Sequence, residues 1–109
     1  MNLDRIKLEL VELIKKNNGV SFVEIEDYFE KIGFEYRGSI VICRNNGNIV
    51  IWDGWNKKAS NLIHELLESN LIRMTPTDEL IYYVDGKIIT LPIYKGKRPF
   101  KQWLPVEFN

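Results

Sequence analysis

Near the end of the chain, Lys95, Lys97, Arg98 and Lys101 alternate with Tyr94, Phe100 and Trp103. Cations interleaved with aromatic rings can neutralise a phosphate backbone and stack its bases, so this segment is a candidate nucleic-acid strip. A second basic group, Lys57 and Lys58, opens a helical segment, with Asn61 one turn on. Cations at a helix start oppose the positive end of its dipole, a mismatch of roughly 0.3–1 kcal/mol that a bound phosphate would relieve. The bland alternatives are solvent-screened lysines and a charged tail whose rings fold onto the body. The candidate nucleic-acid set is therefore Lys57, Lys58, Asn61, Lys97, Arg98 and Lys101. It is expected to form one electropositive surface if the residues after Leu91 run back across the start of that helix. The rival set is Trp52, Trp55 and Trp103, which would anchor a protein partner if exposed and would be core if not.

Catalysis has little to work with. His64 is the only histidine, and Glu68 one helical turn on makes it an ordinary surface pair. Cys43 lies in an apolar run and is expected to pack as a small hydrophobe. No Asp, Glu, His and Cys cluster has ligand spacing, and no glycine-rich phosphate loop occurs. Asp53 and Asp85 precede glycines and read as turn formers. The expectation is a non-enzyme with no catalytic residue, no metal and no cofactor.

Fifteen basic residues balance fifteen acidic ones over 109 residues. That neutrality argues against both a phosphate-coating protein and an acidic nucleic-acid mimic. Residues 1–53 carry seven basic and nine acidic side chains, and residues 54–109 carry eight and six, so the halves differ mildly in sign. Apolar residues make up 45% of the chain, enough for a core without cross-links. One thiol forms no internal disulfide, and no apolar run is long enough to span a bilayer. The expectation is a cytoplasmic protein with no membrane partner, and its oligomeric state, homodimer included, is open.

These groups need elements to position them. Leu3, Ile6, Leu10, Leu13 and Ile14 recur at helical spacing until Asn17-Asn18-Gly19 ends the run. Ser21 and Glu24 form a capping box for a second helix, with Val20 and Ile25 as its hydrophobic staple. Ile25, Tyr28, Phe29 and Ile32 make its apolar face, and Glu24, Glu26 and Asp27 read as a solvated, dipole-matched face. Ile40 to Cys43 and Ile49 to Trp52 flank Asn46-Gly47 as a hairpin, with Ile42 facing Ile51 and Val41 facing Trp52. Both faces of that hairpin are apolar, so both require cover, by the domain or by a partner. Ala59, Leu62, Ile63, Leu66 and Leu67 are the buried stripe of a third helix, which Asn70 closes in a left-handed conformation. Strands are expected at Ile72 to Thr75, Leu80 to Val84 and Lys87 to Leu91.

The reading is α+β and winged-helix-like: three helices, a β-hairpin inserted between helices 2 and 3, and a C-terminal antiparallel ribbon. Residues 1–91 form the domain, and residues 92–109 a basic, aromatic tail expected to pack on it. The inserted hairpin departs from a helix-turn-helix, whose last two helices are joined by a short turn. The Ile/Asn/Lys-rich wording, Trp52-Asp53-Gly54-Trp55-Asn56 and Trp103-Leu104-Pro105-Val106 resemble small proteins of temperate phages and pathogenicity islands of Gram-positive, staphylococcal-type bacteria. The resemblance implies an accessory or regulatory role in a mobile genetic element, acting on DNA or on a phage or host protein. Of the two, nucleic acid is narrowly favoured, with a protein-binding inhibitor as the alternative.

Overall fold

The computed structural model describes residues 2–44 and 47–109. Asn2 caps α1 (Leu3–Asn17), its side-chain oxygen accepting from the backbone of Asp4 and Arg5. The capping box of α2 (Phe22–Ile32) is complete, with Ser21 accepting from the Glu24 backbone and Glu24 accepting from the Ser21 backbone. Gly33 ends it at φ 75°, a conformation glycine adopts without strain. β1 (Arg37–Arg44) and β2 (Ile49–Trp55) follow as an antiparallel pair, then α3 (Lys57–Glu68), whose first turn is capped by Asn56. Asn70 takes the left-handed conformation just beyond α3, at φ 59°.

The C-terminal third departs from expectation. Residues 80–84, expected as a strand, lie in a short helix, α4 (Leu80–Asp85), and residues 87–91 are not in a strand. The antiparallel ribbon is instead made at long range by β3 (Met74–Pro76) and β5 (Val106–Phe108). Between them in sequence, β4 (Gln102–Trp103) joins the edge of β2 as a parallel strand, giving the order β1-β2-β4. The result is an α+β fold with a small mixed sheet and, among the described residues, four helices. Tyr82 explains why β-favouring residues form α4. Its ring is fully buried, and its hydroxyl donates to the Val106 carbonyl at 2.6 Å and accepts from the Phe22 backbone at 3.2 Å. Tertiary packing overrides local propensity here.

The hairpin register also shifts. Cys43 pairs with Val50 and Arg44 with Ile49, but an irregularity between Ile42 and Cys43 puts Ile42 opposite Trp52 and Val41 opposite Asp53. The Asn46-Gly47 turn lies partly outside the described residues. At the far end of β1, Gly38 has a packing reason: a Cβ there would meet the Asn56 Cα at 2.6 Å, so no side chain fits where the two strands approach.

The core is unusually aromatic. Phe22 stacks on Trp52 at 5.6 Å between ring centroids and meets Phe108 and Trp55 edge-on at 4.9 and 5.2 Å. Trp103 meets Tyr82 edge-on at 5.3 Å. Such pairs contribute about 0.5–1.5 kcal/mol each beyond burial alone. Val106 and Phe108 are buried in the same cluster as the helices, so residues 102–108 supply core as well as strand.

Candidate partner-binding surfaces

The three tryptophans cannot serve as exposed anchors. Trp52, Trp55 and Trp103 are at most 2% exposed. Two of them converge on Glu26, which is itself buried rather than part of a solvated face. The indole N–H groups of Trp52 and Trp55 donate to Glu26 Oε2 at 2.8 and 2.7 Å, and Lys87 Nζ contacts Oε1 at 2.5 Å. Buried carboxylates persist where donors and a counter-charge satisfy them, as here. The signal was present in the spacing: Phe22, Ile25, Glu26 and Phe29 share one helical stripe.

The two basic groups expected to form one electropositive surface are placed toward opposite ends of β2. Lys57, Lys58 and Asn61 are exposed, as are Lys97, Arg98 and Lys101. However, α3 begins beyond the Trp55 end of β2, whereas Gln102 pairs with Ile49 at the other end. Six residue steps of extended strand separate those ends, about 20 Å. The segment after Leu91 runs beside the start of β2 and not across the start of α3. The first turn of α3 is also occupied, because Asn56 Oδ1 accepts from the Ala59 backbone at 2.8 Å. His64 is exposed on α3 and lies 3.3 Å from Glu68.

One strand of the hairpin is left uncovered by the domain itself. β1 is an edge strand of the sheet, and along its eight residues only Ile42 is even half-buried. Val41 is 50% exposed, and Ile40 and Cys43 are exposed beside it. The cysteine was expected to be buried; the neighbouring β2 carries the buried residues of the hairpin instead. The strand carries opposite charge at its two ends. At the Arg37 end, Glu35 and Glu30 flank one guanidinium at 3.4 and 3.6 Å, leaving a carboxylate in excess. The Arg37 backbone N–H holds the Glu35 carboxyl below its ordinary range, followed by the guanidinium charge. At the other end, Arg44 has no ion-pair partner among the described residues.

A groove of about 600 Å³ between α1 and α3 is floored by Val11 and Leu66 and rimmed by the exposed Leu8 and Leu71. The Lys7–Glu65 ion pair lies at its rim. Among the described residues, no group of three His, Cys, Asp or Glu side chains is placed to hold a metal, and no helix is long and apolar enough to cross a membrane. Set against protein-family models, curated proteins and solved structures, the chain matches none of them.

Proposed function

We propose that the chain is a non-catalytic protein-binding module, an inhibitor or modulator that takes an extended segment of its partner as an added strand on β1. The carrying observation is the open edge: eight residues long and apolar in the middle, with Ile40, Val41 and Cys43 exposed side by side. Exposed edges of this kind pair readily with another chain through main-chain hydrogen bonds, with side chains setting specificity. The irregularities in β1 twist the strand and limit indiscriminate stacking. Charge selects the occupant. An antiparallel partner segment with an apolar centre, a basic residue facing the Glu30–Arg37–Glu35 group and an acidic residue facing Arg44 fits the edge. With the two basic groups toward opposite ends of β2, the protein reading is better supported than the six-residue nucleic-acid surface.

In its finer form the architecture is winged-helix-like, with the β3–β5 ribbon in the place of a wing; the order of three helices before that ribbon supports it. The setting we infer is the cytoplasm of a bacterium carrying a phage or pathogenicity island, and its support is the sequence resemblance alone. The test is affinity capture from such a host, with and without nuclease. A Lys97→Glu/Arg98→Glu variant should retain the partner, an Ile40→Lys/Val41→Lys variant should lose it, and cross-linking from position 41 should map to an extended segment of it. Loss of capture on nuclease treatment, indifference to the β1 variant, or recovery of nothing but a second copy of this chain would overturn the reading.

A further inference from the structure

A second surface lies on the loop that leads into β4, across β2 from the Arg44 end of β1. Residues 94–101 form a loop whose ends are clamped together. Tyr94 donates its backbone N–H to the Trp103 carbonyl at 2.8 Å, and Trp103 donates to the Pro92 carbonyl at 2.8 Å. Inside the loop lies Gln102, 3% exposed, with both its amide oxygen and its amide nitrogen hydrogen-bonded to the loop backbone. Its Oε1 accepts from the Lys95 backbone at 2.9 Å, and its Nε2 donates to the Gly96 carbonyl at 2.7 Å. Gly96 turns the chain at φ 106°, where a side chain would be strained. The loop is thus held open from within, and its own side chains project outward.

Those side chains have one sign. Lys95, Lys97, Arg98 and Lys101 are all exposed, and the loop contains no acid. Two grooves flank it. One, of about 520 Å³, is lined by Asn48, Tyr94, Lys97 and Arg98, and the other, of about 470 Å³, by Lys95, Arg98, Phe100 and Glu79. Arg98 lines both, between two exposed rings: Tyr94 is 36% and Phe100 48% exposed. An exposed phenylalanine on a rigid basic loop adds nothing to simple anion binding, but it offers a face on which a base can stack.

We propose that loop 94–101 binds single-stranded nucleic acid without sequence preference. Phosphates lie along the four cations, and bases stack on Tyr94 and Phe100. Duplex is disfavoured because its bases are already stacked on one another and cannot reach the rings. Lys57 and Lys58 take no part.

The experiment is fluorescence anisotropy with a twelve-nucleotide oligo-dT, an oligo-rU of the same length, a matching duplex and inorganic polyphosphate, at 50 and 200 mM salt. Binding of single strands should weaken with salt, with a slope of log K against log salt approaching about −3 if all four cations contribute. Equal binding of oligo-dT and oligo-rU places recognition on phosphate and base faces, and preference for rU would add the 2′-hydroxyl. Lys97→Glu/Arg98→Glu should weaken every anionic ligand at least about tenfold. Tyr94→Ala/Phe100→Ala should weaken the oligonucleotides about tenfold or more and leave polyphosphate unchanged. Lys57→Glu/Lys58→Glu should change nothing beyond about twofold. The proposal is overturned if the wild type shows no salt-sensitive binding of single strands, if duplex binds as well, or if the aromatic variant leaves oligonucleotide affinity intact, which would mark a plain polyanion patch.

Discussion

Glu26 Oε2 accepts the Trp52 indole N–H at 2.8 Å inside the core, tying the second helix to the central strand of the sheet. The same oxygen holds Trp55, and Lys87 covers the other. Removing the carboxylate would leave two indole donors buried without acceptors. Glu26→Ala should therefore destabilise the fold by about 3–5 kcal/mol, and Glu26→Gln, which keeps an acceptor oxygen, by clearly less. Urea unfolding followed by tryptophan fluorescence reads both, and equal losses would refute the hydrogen-bonding account.

Trp103 makes the contrasting case. Its indole nitrogen is buried with no hydrogen-bond partner among the described residues. Trp103→Phe should lose only packing, whereas Trp52→Phe also loses a bond to a charged acceptor. The second should cost about 1–2 kcal/mol more than the first. The same denaturant melts compare them.

Ser21 closes the capping box and also donates to Asp85 Oδ2 at 2.7 Å, joining the start of α2 to the end of α4. Ser21→Ala should cost about 1–2 kcal/mol and Asp85→Ala less, because the latter leaves the cap in place. A null result for Ser21→Ala would mean that the helix begins elsewhere.

Glu9 accepts from the Tyr28 hydroxyl at 2.8 Å, which is the largest cause of its carboxyl lying below the ordinary range, with Arg5 next. A carboxyl lowered on folding stabilises the native state above its unfolded pKa, and that contribution is lost as pH falls through the lowered value. Tyr28→Phe should move the Glu9 titration upward toward the ordinary range, and NMR titration of the Glu9 side chain measures it. An unmoved titration would assign the shift to Arg5 alone.

Cys43 should react with maleimide in the folded protein at nearly the rate of an unstructured thiol, because it is exposed on the free edge. Cys43→Ser should change stability by no more than about 0.5 kcal/mol. Slow alkylation that quickens on unfolding would mean that the edge is covered in solution. His64→Ala should leave partner capture intact.

The first three helices were legible because each carries a clear apolar stripe and a terminator, and the second also a complete capping box; the Asn2 and Asn56 caps of the other two emerge from the structure. The failures came where distant packing decides. Leu80 to Val84 read locally as strand, but they form a helix that seats Tyr82 between Phe22 and Val106. The hairpin was visible, but the first of three irregularities met from its turn, after Ile42, moved its register, and nothing in its two equally apolar strands tells which one is left at the edge. Of the candidate residues, the basic loop was visible as composition. Its separation from Lys57 and Lys58 was not, because that depends on β4 joining β2 in parallel.

The late strands also constrain the order of events at the ribosome. Phe108 closes over Phe22, and β5 pairs with β3, so the aromatic core joins the start of α2 to residues far along the chain. A nascent polypeptide cannot complete that core until residues 102–108 have left the exit tunnel. Until then the first two helices must wait with Phe22, Ile25 and Phe29 uncovered, a long-range closure that slows folding and invites chaperones. Stalling translation short of residue 102 should therefore yield a protease-sensitive chain rather than a smaller folded one.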